Sequence, residues 1–221
     1  MFHKITMVTL VVIILGGCVT VKHIPLTASS SEALSDKKII LTQYIKADFT
    51  AFTAGKAALG ILGAAAMVSA GNQIAEENAI PDPALAIGTG LLERLQSSRN
   101  IQIIPSQKVA SKDDISTLVM NYPDADYLLD VKTLTWMFNY YPSDWSHYRV
   151  TYGARLRLIS SSSKKVVAET MCTTVQGDDK NPPTKDDLLN KEAELLKEYL
   201  NKAASSCIDV LAEQVLMLNK S

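Results

Sequence analysis

The chain has 221 residues, with 22 Lys and Arg against 23 Asp and Glu, a formal net charge of −1 and 47% hydrophobic residues. The near-neutral balance excludes the strong basic excess of a nucleic-acid-binding domain. The apolar content is that of a folded protein, so a wholly disordered chain is excluded as well. The length suits one compact domain with a short extension.

The first 17 residues have the order of a secretory signal. Lys4 provides a positive start, Ile5–Leu15 is apolar apart from two threonines, and the small residues Gly16 and Gly17 precede Cys18. The apolar stretch is about half of the ~20 residues that a spanning helix needs. The order of charge, apolar stretch and small residues therefore predicts a cleaved signal rather than a membrane span.

The tetrapeptide Leu15-Gly16-Gly17-Cys18 resembles the bacterial lipoprotein box. That resemblance implies that Cys18 receives diacylglycerol and becomes the new N-terminus. Two or three acyl chains, palmitate among them, hold a protein on a bilayer, because each buried methylene contributes ~0.8 kcal/mol. Val19, where an inner-membrane lipoprotein would carry aspartate, favours the outer membrane, with the chain facing the periplasm. An ordinary cleaved signal with an incidental cysteine is the alternative.

Two cysteines remain besides Cys18, namely Cys172 and Cys207. An even pair in an oxidising compartment predicts one disulfide. Cys207 lies on the apolar stripe of a predicted helix beside Ala203 and Ala204, whose small side chains let that helix come close to a sheet. Two reduced, buried thiols are the alternative.

Residues 18–36 are small and polar, with Thr27–Ser31 at their centre. They are predicted to form the lipidated N-terminus and a flexible tether, in which His23 has no evident partner. Lys37–Lys46 is rich in β-formers and is predicted to contain a strand. The folded domain is accordingly predicted to occupy residues 37–221.

The segment Ala51–Asn78 is rich in alanine and is punctuated by Gly55, Gly60, Gly63 and Gly71. Alanine favours a helix, but each interior glycine costs up to ~1 kcal/mol relative to alanine, so the helix needs a tightly packed neighbour. Three interpretations stay open: a buried core helix, an element for self-association or membrane contact, and a mobile loop.

The rest of the chain alternates between helical and strand patterns. The predicted elements are a helix over Ala84–Ser98, a strand over Ile101–Ile104, a helix starting within residues 111–114, three strands over Asp126–Phe138, His147–Ile159 and Lys165–Val175, and a long helix from Lys185. Apolar residues recur along that last helix as one continuous stripe as far as Leu218. In the middle strand of the three, apolar side chains alternate with Arg149, Thr151, Arg155 and Arg157. This alternation predicts one dry face and one wetter face of the sheet.

Residue types used in catalysis and metal binding are scarce. After the signal only His23 and His147 remain as histidines, and the sequence contains no phosphate-binding loop or nucleophile elbow. A zinc site needs about four well-spaced ligands, which the sequence does not offer. Asp124, Asp126 and Asp130 lie near the first long strand, and two of them are interpreted as solvating a strand edge rather than as metal ligands. We therefore expect no enzymatic activity, no metal and no cofactor.

Aromatic residues crowd the connection between the first two long strands, where Pro142–Asp144 predicts the turn. They are Trp136, Phe138, Tyr140, Tyr141, Trp145 and Tyr148. Aromatic side chains with a polar group are enriched in protein interfaces, so Tyr140, Tyr141 and Trp145 are predicted to bind a partner. The alternative is that the aromatic residues cap one end of the core as cross-strand pairs.

Three phrases, Asn100–Pro105, Asp124–Leu129 and Arg155–Ala168, are similar to periplasmic lipoprotein domains related to CsgG, the TolB N-terminal domain and the LpoB-type synthase activators. The resemblance spans roughly Lys37–Leu218. It implies an α/β (α+β) fold, with a small mixed sheet of about five strands packed by helices that include a long C-terminal one.

The same resemblance implies a structural or assembly component of a cell-envelope complex, such as a secretion or transport machine. The expected partners are the bilayer, through acylated Cys18, and envelope proteins, with a homo-oligomer possible and no nucleic acid. The alternatives are a regulator of a periplasmic cell-wall enzyme and a pore-forming oligomer. The sequence has no pair of alternating segments long enough for the membrane strands of the curli-secretion channel, which speaks against an autonomous pore.

Overall fold

The computed structural model describes residues 20–218, so the signal segment, Cys18 and the last three residues lie outside the described residues. The described chain has the predicted mixed α/β fold, with one six-stranded and one two-stranded sheet. Its helices are α1 (Ala28–Glu32), α2 (Ala54–Ala57), α3 (Gly60–Glu77), α4 (Pro83–Arg99), α5 (Ile115–Asn121) and α6 (Lys185–Gln214). Its strands are β1 (Lys38–Leu41), β2 (Gln43–Tyr44), β3 (Thr50–Phe52), β4 (Gln102–Ile103), β5 (Val109–Ala110), β6 (Tyr127–Tyr141), β7 (Asp144–Ser160) and β8 (Lys165–Gln176).

The larger sheet is built around the long β6–β7 hairpin. β8 pairs antiparallel with β7 from Val150 onward, and β1 runs parallel to the first residues of β6, which gives the order β4-β1-β6-β7-β8. β3 runs parallel to the last part of β6, with Phe52 opposite Asn139. The tip of the hairpin, at residues 141–144, therefore extends beyond the last pair of β7 and β8.

One face of this sheet carries the main core. The apolar residues of β7 alternate as the sequence predicts, and Val150, Tyr152, Leu156 and Leu158 are fully buried. α4 and α6 cover this face, since α4 packs on β6 while α6 packs on β7 and β8. The long apolar stripe of α6 thus lies against the sheet.

The predicted long C-terminal helix is confirmed, but its backbone departs from helical geometry at residues 190–193. Lys191, Glu192 and Ala193 have positive φ angles of 49°, 57° and 59°, so the backbone turns left-handed there before the helix resumes. The Asn190 side-chain oxygen accepts a hydrogen bond from the Lys191 amide at 2.8 Å. Such local side-chain bonds compete with the helical backbone pattern, which accounts for a break that hydrophobic periodicity does not report.

The opposite face of the sheet is also largely covered, so its prediction as the wetter face is wrong for its arginines. Arg155 and Arg157 are buried, and α5 with its flanking segments packs a second apolar cluster beside them. Leu118 of α5 and Leu128 of β6 belong to that cluster. Both buried arginines are paired with carboxylates: Arg155 with Asp113 of the covering layer, and Arg157 with Asp130 of β6.

The predicted tether at residues 18–36 is wrong over the part that the structure describes. Ile24 forms an antiparallel bridge with Glu169 of β8, and Leu26 and Leu34 are buried in the core. His23 has a partner, because its Nδ1 lies 3.2 Å from the Thr170 hydroxyl oxygen. The folded domain therefore begins near residue 23 rather than at residue 37. The sequence did not predict this burial, because the apolar residues of the segment pack against elements that are distant in the chain.

The alanine- and glycine-rich segment forms helix α3, and the interpretation of it as a loop is wrong for residues 60–77. Gly63, Met67, Gly71 and Ala75 form its buried face. A Cβ atom at Gly71 would lie 1.8 Å from the Phe49 carbonyl oxygen, so only glycine permits this approach to β3. Within residues 20–218, none of the helices is both long and apolar enough to cross a membrane.

Candidate functional site

The tip of the β6–β7 hairpin forms a partly exposed aromatic group, which we call the aromatic end: Phe52, Tyr140, Tyr141 and Trp145. The Tyr140 ring stacks on Phe52 at 5.7 Å between centroids and meets the Trp145 ring edge-on at 6.5 Å. Trp145 is 67% exposed, and its Nε1 donates a hydrogen bond to the Pro142 carbonyl oxygen at 3.3 Å. The turn therefore holds an indole ring in solvent instead of folding it into the core.

Tyr141 is held more firmly than Trp145. Its hydroxyl donates to the Asp179 carboxylate at 3.2 Å, and the Arg149 guanidinium lies 5.4 Å from its ring centroid. Burial, with the hydrogen bond to Asp179, raises the pKa of the Tyr141 hydroxyl. At the base of the turn, His147 Nδ1 lies 2.5 Å from an Asp144 carboxylate oxygen. These contacts hold the hairpin tip in position.

The other aromatic residues near the hairpin belong to the core. Trp136, Phe138 and Tyr148 are buried, and the Phe49 ring lies 5.0 Å from that of Trp136 and 5.9 Å from that of Phe138. The core-capping interpretation thus holds for Trp136, Phe138 and Tyr148. Tyr140, Tyr141 and Trp145 lie at the outer edge of the aromatic group, and their binding to a partner stays a prediction.

A second apolar feature lies at the same end of the molecule, within the alanine- and glycine-rich segment for which self-association or membrane contact is an open interpretation. Leu59, Ile61 and Leu62, at the corner between α2 and α3, are exposed, Ile61 to 90%. β3 runs parallel to β6 toward the hairpin tip, so the corner that follows Phe52 lies near the tip. We call these three residues the α2–α3 corner. Three large apolar side chains within four residues, at the start of a glycine-punctuated helix, were the available signal.

A cavity of about 760 Å³ opens between the β2–β3 loop, the α3–α4 loop, β6 and α6. Ile80, Val131, Leu200 and Ala204 form its buried apolar wall. Other residues that line it are Thr42–Ala47, Ala79, Pro81–Ala86, Lys132, Thr133, Lys197 and Asn201. The volume lies within the range of small-molecule sites. Sequence reasoning missed the cavity, because its lining comes from four distant segments.

Asp130 is the centre of a buried charge network, so it is not one of the acids that solvate a strand edge. Its side chain is 0% exposed. It accepts hydrogen bonds from Thr42 at 2.8 Å, from Arg157 Nε at 2.7 Å, from Arg155 at 3.3 Å and from the Tyr44 hydroxyl. Burial and the Asp130 carboxylate raise the pKa of Tyr44. Such full satisfaction is what a buried carboxylate requires.

Asp113 extends this network toward the surface. Its carboxylate lies 2.9 Å from Lys132 Nζ and 3.0 Å from Arg155 Nη2. Burial raises the pKa of Asp113, but the hydrogen bonds and charges of Lys132 and Arg155 outweigh it and lower the pKa to about 2. The network connects β6 and β7 to the segment before α5. A structural role therefore accounts for its contacts.

The remaining predicted site residues fall as follows. Cys172 of β8 and Cys207 of α6 form a disulfide, with their Cα atoms 5.5 Å apart, as the sequence predicts. Asp126 accepts a hydrogen bond from the Lys38 amide at 2.9 Å at the start of the sheet, and Asp124 is exposed. Cys18 lies outside the described residues. Residues 20–218 contain no cluster of three or more His, Cys, Asp or Glu that could hold a metal ion.

No protein-family model and no curated protein matches the chain, whereas solved structures do. It is similar to the PelC dodecamer from Paraburkholderia phytofirmans, with 14% identity and a TM-score of 0.43 over 91% of this chain and 99% of that one. It is also similar to lipoprotein GNA1162 from Neisseria meningitidis (11% identity, TM-score 0.37, 76% and 99% covered) and to the LpoB C-terminal domain from Salmonella enterica (8%, 0.28, 63% and 83%). Bacterial lipoproteins thus stand among its structural neighbours, and the resemblances to CsgG and TolB stay predictions.

Proposed function

We propose that this chain is a lipid-anchored protein of the bacterial envelope that acts as a structural or assembly component of an envelope complex at the outer membrane. The bilayer, through acylated Cys18, and envelope proteins, through the aromatic end, are its proposed partners. The role is a docking role rather than a catalytic one.

The direction of the N-terminal segment is the observation that carries this proposal. Ile24 pairs antiparallel with Glu169, and His23 lies beside Thr170. Because β8 runs toward the hairpin tip, the residues before His23 are directed toward the aromatic end. Five residues lie between Cys18 and Ile24, and the six steps span at most about 20 Å when fully extended. An anchor on Cys18 would therefore hold the folded domain close to the bilayer.

The chemistry of that end supports a contact surface. Tryptophan and tyrosine have an apolar ring with a polar group, which suits both protein interfaces and the membrane–water boundary. Trp145 and the α2–α3 corner expose large apolar side chains there. Such exposure contributes nothing to the core, so it is best explained by contact with something outside the domain.

The non-catalytic role is supported by what the reactive residue types already do. Cys172 and Cys207 are joined, His147 is bonded to Asp144, and His23 is bonded to Thr170. Each of these side chains has a structural partner, and Asp130 is held by four hydrogen bonds.

The anchor is tested by replacing Cys18 with serine in cells. The unsubstituted protein should carry the mass of its acyl chains and sediment with salt-washed outer membranes, and Cys18→Ser should lose both properties. The matched control is the double variant Cys172→Ser and Cys207→Ser, which keeps the Cys18 thiol and should stay on the membrane. A Cys18→Ser protein with unchanged mass and sedimentation would refute the anchor.

The docking role is tested by a photo-crosslinking amino acid at position 145 in cells, with Ser162 in the β7–β8 turn as the exposed control at the opposite end of the sheet. Crosslinks from position 145 to several envelope proteins support an assembly component. Crosslinks to one cell-wall enzyme alone favour the regulator, and crosslinks only between copies of this chain favour the oligomeric pore. Equal recovery of partners from positions 145 and 162 would contradict docking through the aromatic end.

A further inference from the structure

We infer that the cavity between the β2–β3 loop, the α3–α4 loop, β6 and α6 is a binding site for an anionic amphiphile: a single long hydrocarbon chain that ends in a carboxylate or a phosphate. The inference concerns a different part of the molecule from the aromatic end and does not depend on the lipid anchor.

The interior of the cavity is suited to hydrocarbon. Ile80, Val131, Leu200 and Ala204 form a buried apolar wall. The main acceptor inside, the Asp82 carboxylate, already accepts hydrogen bonds from the Ala84 amide at 2.9 Å and the Thr133 hydroxyl at 2.5 Å. An apolar site with few unmet polar groups favours an apolar occupant over water.

The hydroxyl groups of the wall are also engaged within the protein. The Thr42 hydroxyl donates to Asp130 at 2.8 Å, and the Thr133 hydroxyl lies 3.0 Å from that of Tyr152. A ligand buried here therefore meets no unpaired hydroxyl that would demand a hydrogen bond. Binding in the interior rests on apolar contact.

The lining supplies positive charge for one end of the ligand. Lys46, Lys132 and Lys197 all line the cavity. Lys132 is paired with Asp113, and Lys46 Nζ lies 3.4 Å from the Ala75 carbonyl oxygen. The ammonium group of Lys197, on α6, has no hydrogen-bond or ion-pair partner within residues 20–218. An ammonium group at the edge of an apolar cavity suits a carboxylate or phosphate head group.

The apolar lining continues out to the surface. Ile45 in the β2–β3 loop and Leu85 in the α3–α4 loop line the cavity and are largely exposed, on two different walls. Exposed large apolar side chains beside an apolar cavity extend the surface that a hydrocarbon chain can cover. Together with Lys197, they select a molecule that is apolar along its length and anionic at one end.

The test uses the full chain in phospholipid nanodiscs and a photoactivatable 16-carbon fatty acid, with labelled peptides identified by mass spectrometry. We expect labelling within residues 79–86 and 197–204, competed by palmitate and by hexadecyl phosphate but about fivefold less well by hexadecanol, which lacks the charge. The two anionic competitors distinguish a carboxylate from a phosphate preference.

Variants separate the apolar interior from the charge. Ala204→Phe fills the cavity, and Leu85→Glu places a carboxylate at an exposed position where folding tolerates it; each should reduce labelling at least tenfold. Lys197→Gln should abolish the preference for palmitate over hexadecanol. The matched control Lys202→Gln, on the same helix but paired with Glu198 at 2.6 Å, should leave labelling unchanged.

Three outcomes would overturn the inference. The first is labelling that maps to other peptides, and the second is labelling that persists in both Ala204→Phe and Leu85→Glu. The third is competition by hexadecanol equal to that by palmitate in the unsubstituted protein, which would remove the anionic part. None of these depends on Cys18, so a failure here is distinct from a failure of the proposed anchor.

Discussion

Opening the disulfide between Cys172 and Cys207 should cost the domain a large part of its stability. The bond closes a loop with a sequence separation of 35 residues between β8 and α6. In the chain-entropy model, a loop of this length restricts the unfolded chain by about 4 kcal/mol at 25 °C. For a chain of this size, that loss corresponds to a fall in Tm of roughly 8–15 °C.

Urea unfolding, followed by tryptophan fluorescence, measures this loss. Trp136 is buried beside Phe49 and should report loss of the core, whereas Trp145 is already exposed. The oxidised protein, the reduced protein, Cys172→Ala and the double variant Cys172→Ala, Cys207→Ala should be compared. Reduction and the first substitution should each lower the free energy of unfolding by about 4 kcal/mol. The second substitution should add only about 1 kcal/mol for the atoms removed.

The reasoning fails if oxidised and reduced protein unfold at the same urea concentration. It fails as well if the second substitution costs as much as the first, because the bond can be lost only once. Mass spectrometry of non-reduced peptides provides the chemical control: it should detect Cys172 linked to Cys207, and two alkylatable thiols would contradict the pairing.

Two further predictions concern packing and charge. Gly71→Ala places a Cβ 1.8 Å from the Phe49 carbonyl oxygen and should lower the free energy of unfolding, measured in urea, by roughly 2 kcal/mol. The control Gly55→Ala, with no atom within 4 Å of its new Cβ, should change that free energy by less than about 0.5 kcal/mol. Equal effects of the two substitutions would contradict the close contact between α3 and β3. The pKa of Asp113 is about 2 in the folded protein against 3.8 ordinarily, so its carboxylate stabilises the fold above pH ~4, and that contribution is lost as the pH falls toward 2. The stability difference between the protein and Asp113→Asn should therefore shrink over that window, and a constant difference from pH 6 to pH 2 would refute the assignment.

Much of the fold could be predicted because the spacing of apolar residues within each element indicates whether it is a helix or a strand. Alternation along β7 identifies a strand with one apolar face, and the apolar stripe from Leu196 to Leu211 identifies the main part of α6. The turn residues at 142–144 mark the hairpin between two long strands. These signals depend only on neighbours within one element, so a single sequence reports them.

The candidate sites were predicted less well, and particular residues show why. Asp130 follows a hydrophobic stretch like any edge carboxylate, yet it is enclosed by Thr42, from the connection between β1 and β2, and by Arg155 and Arg157 of β7. Leu26 lies in a polar segment that composition assigns to a tether, yet its amide bonds the Val215 carbonyl oxygen at 2.8 Å. In both cases the covering partner is distant in sequence, and periodicity does not reveal it.

The sequence alone determined the alternation of the strands, the stripe of the last helix and the pairing of two cysteines, because each follows from side-chain spacing and residue chemistry along the chain. Only the tertiary structure decided that the N-terminal segment lies along β8, that the arginines of the second face are buried with Asp130, and that four separate segments enclose the cavity. The physical reason is that spacing reveals which face of an element is apolar, whereas the elements that cover that face are set by packing over the whole domain.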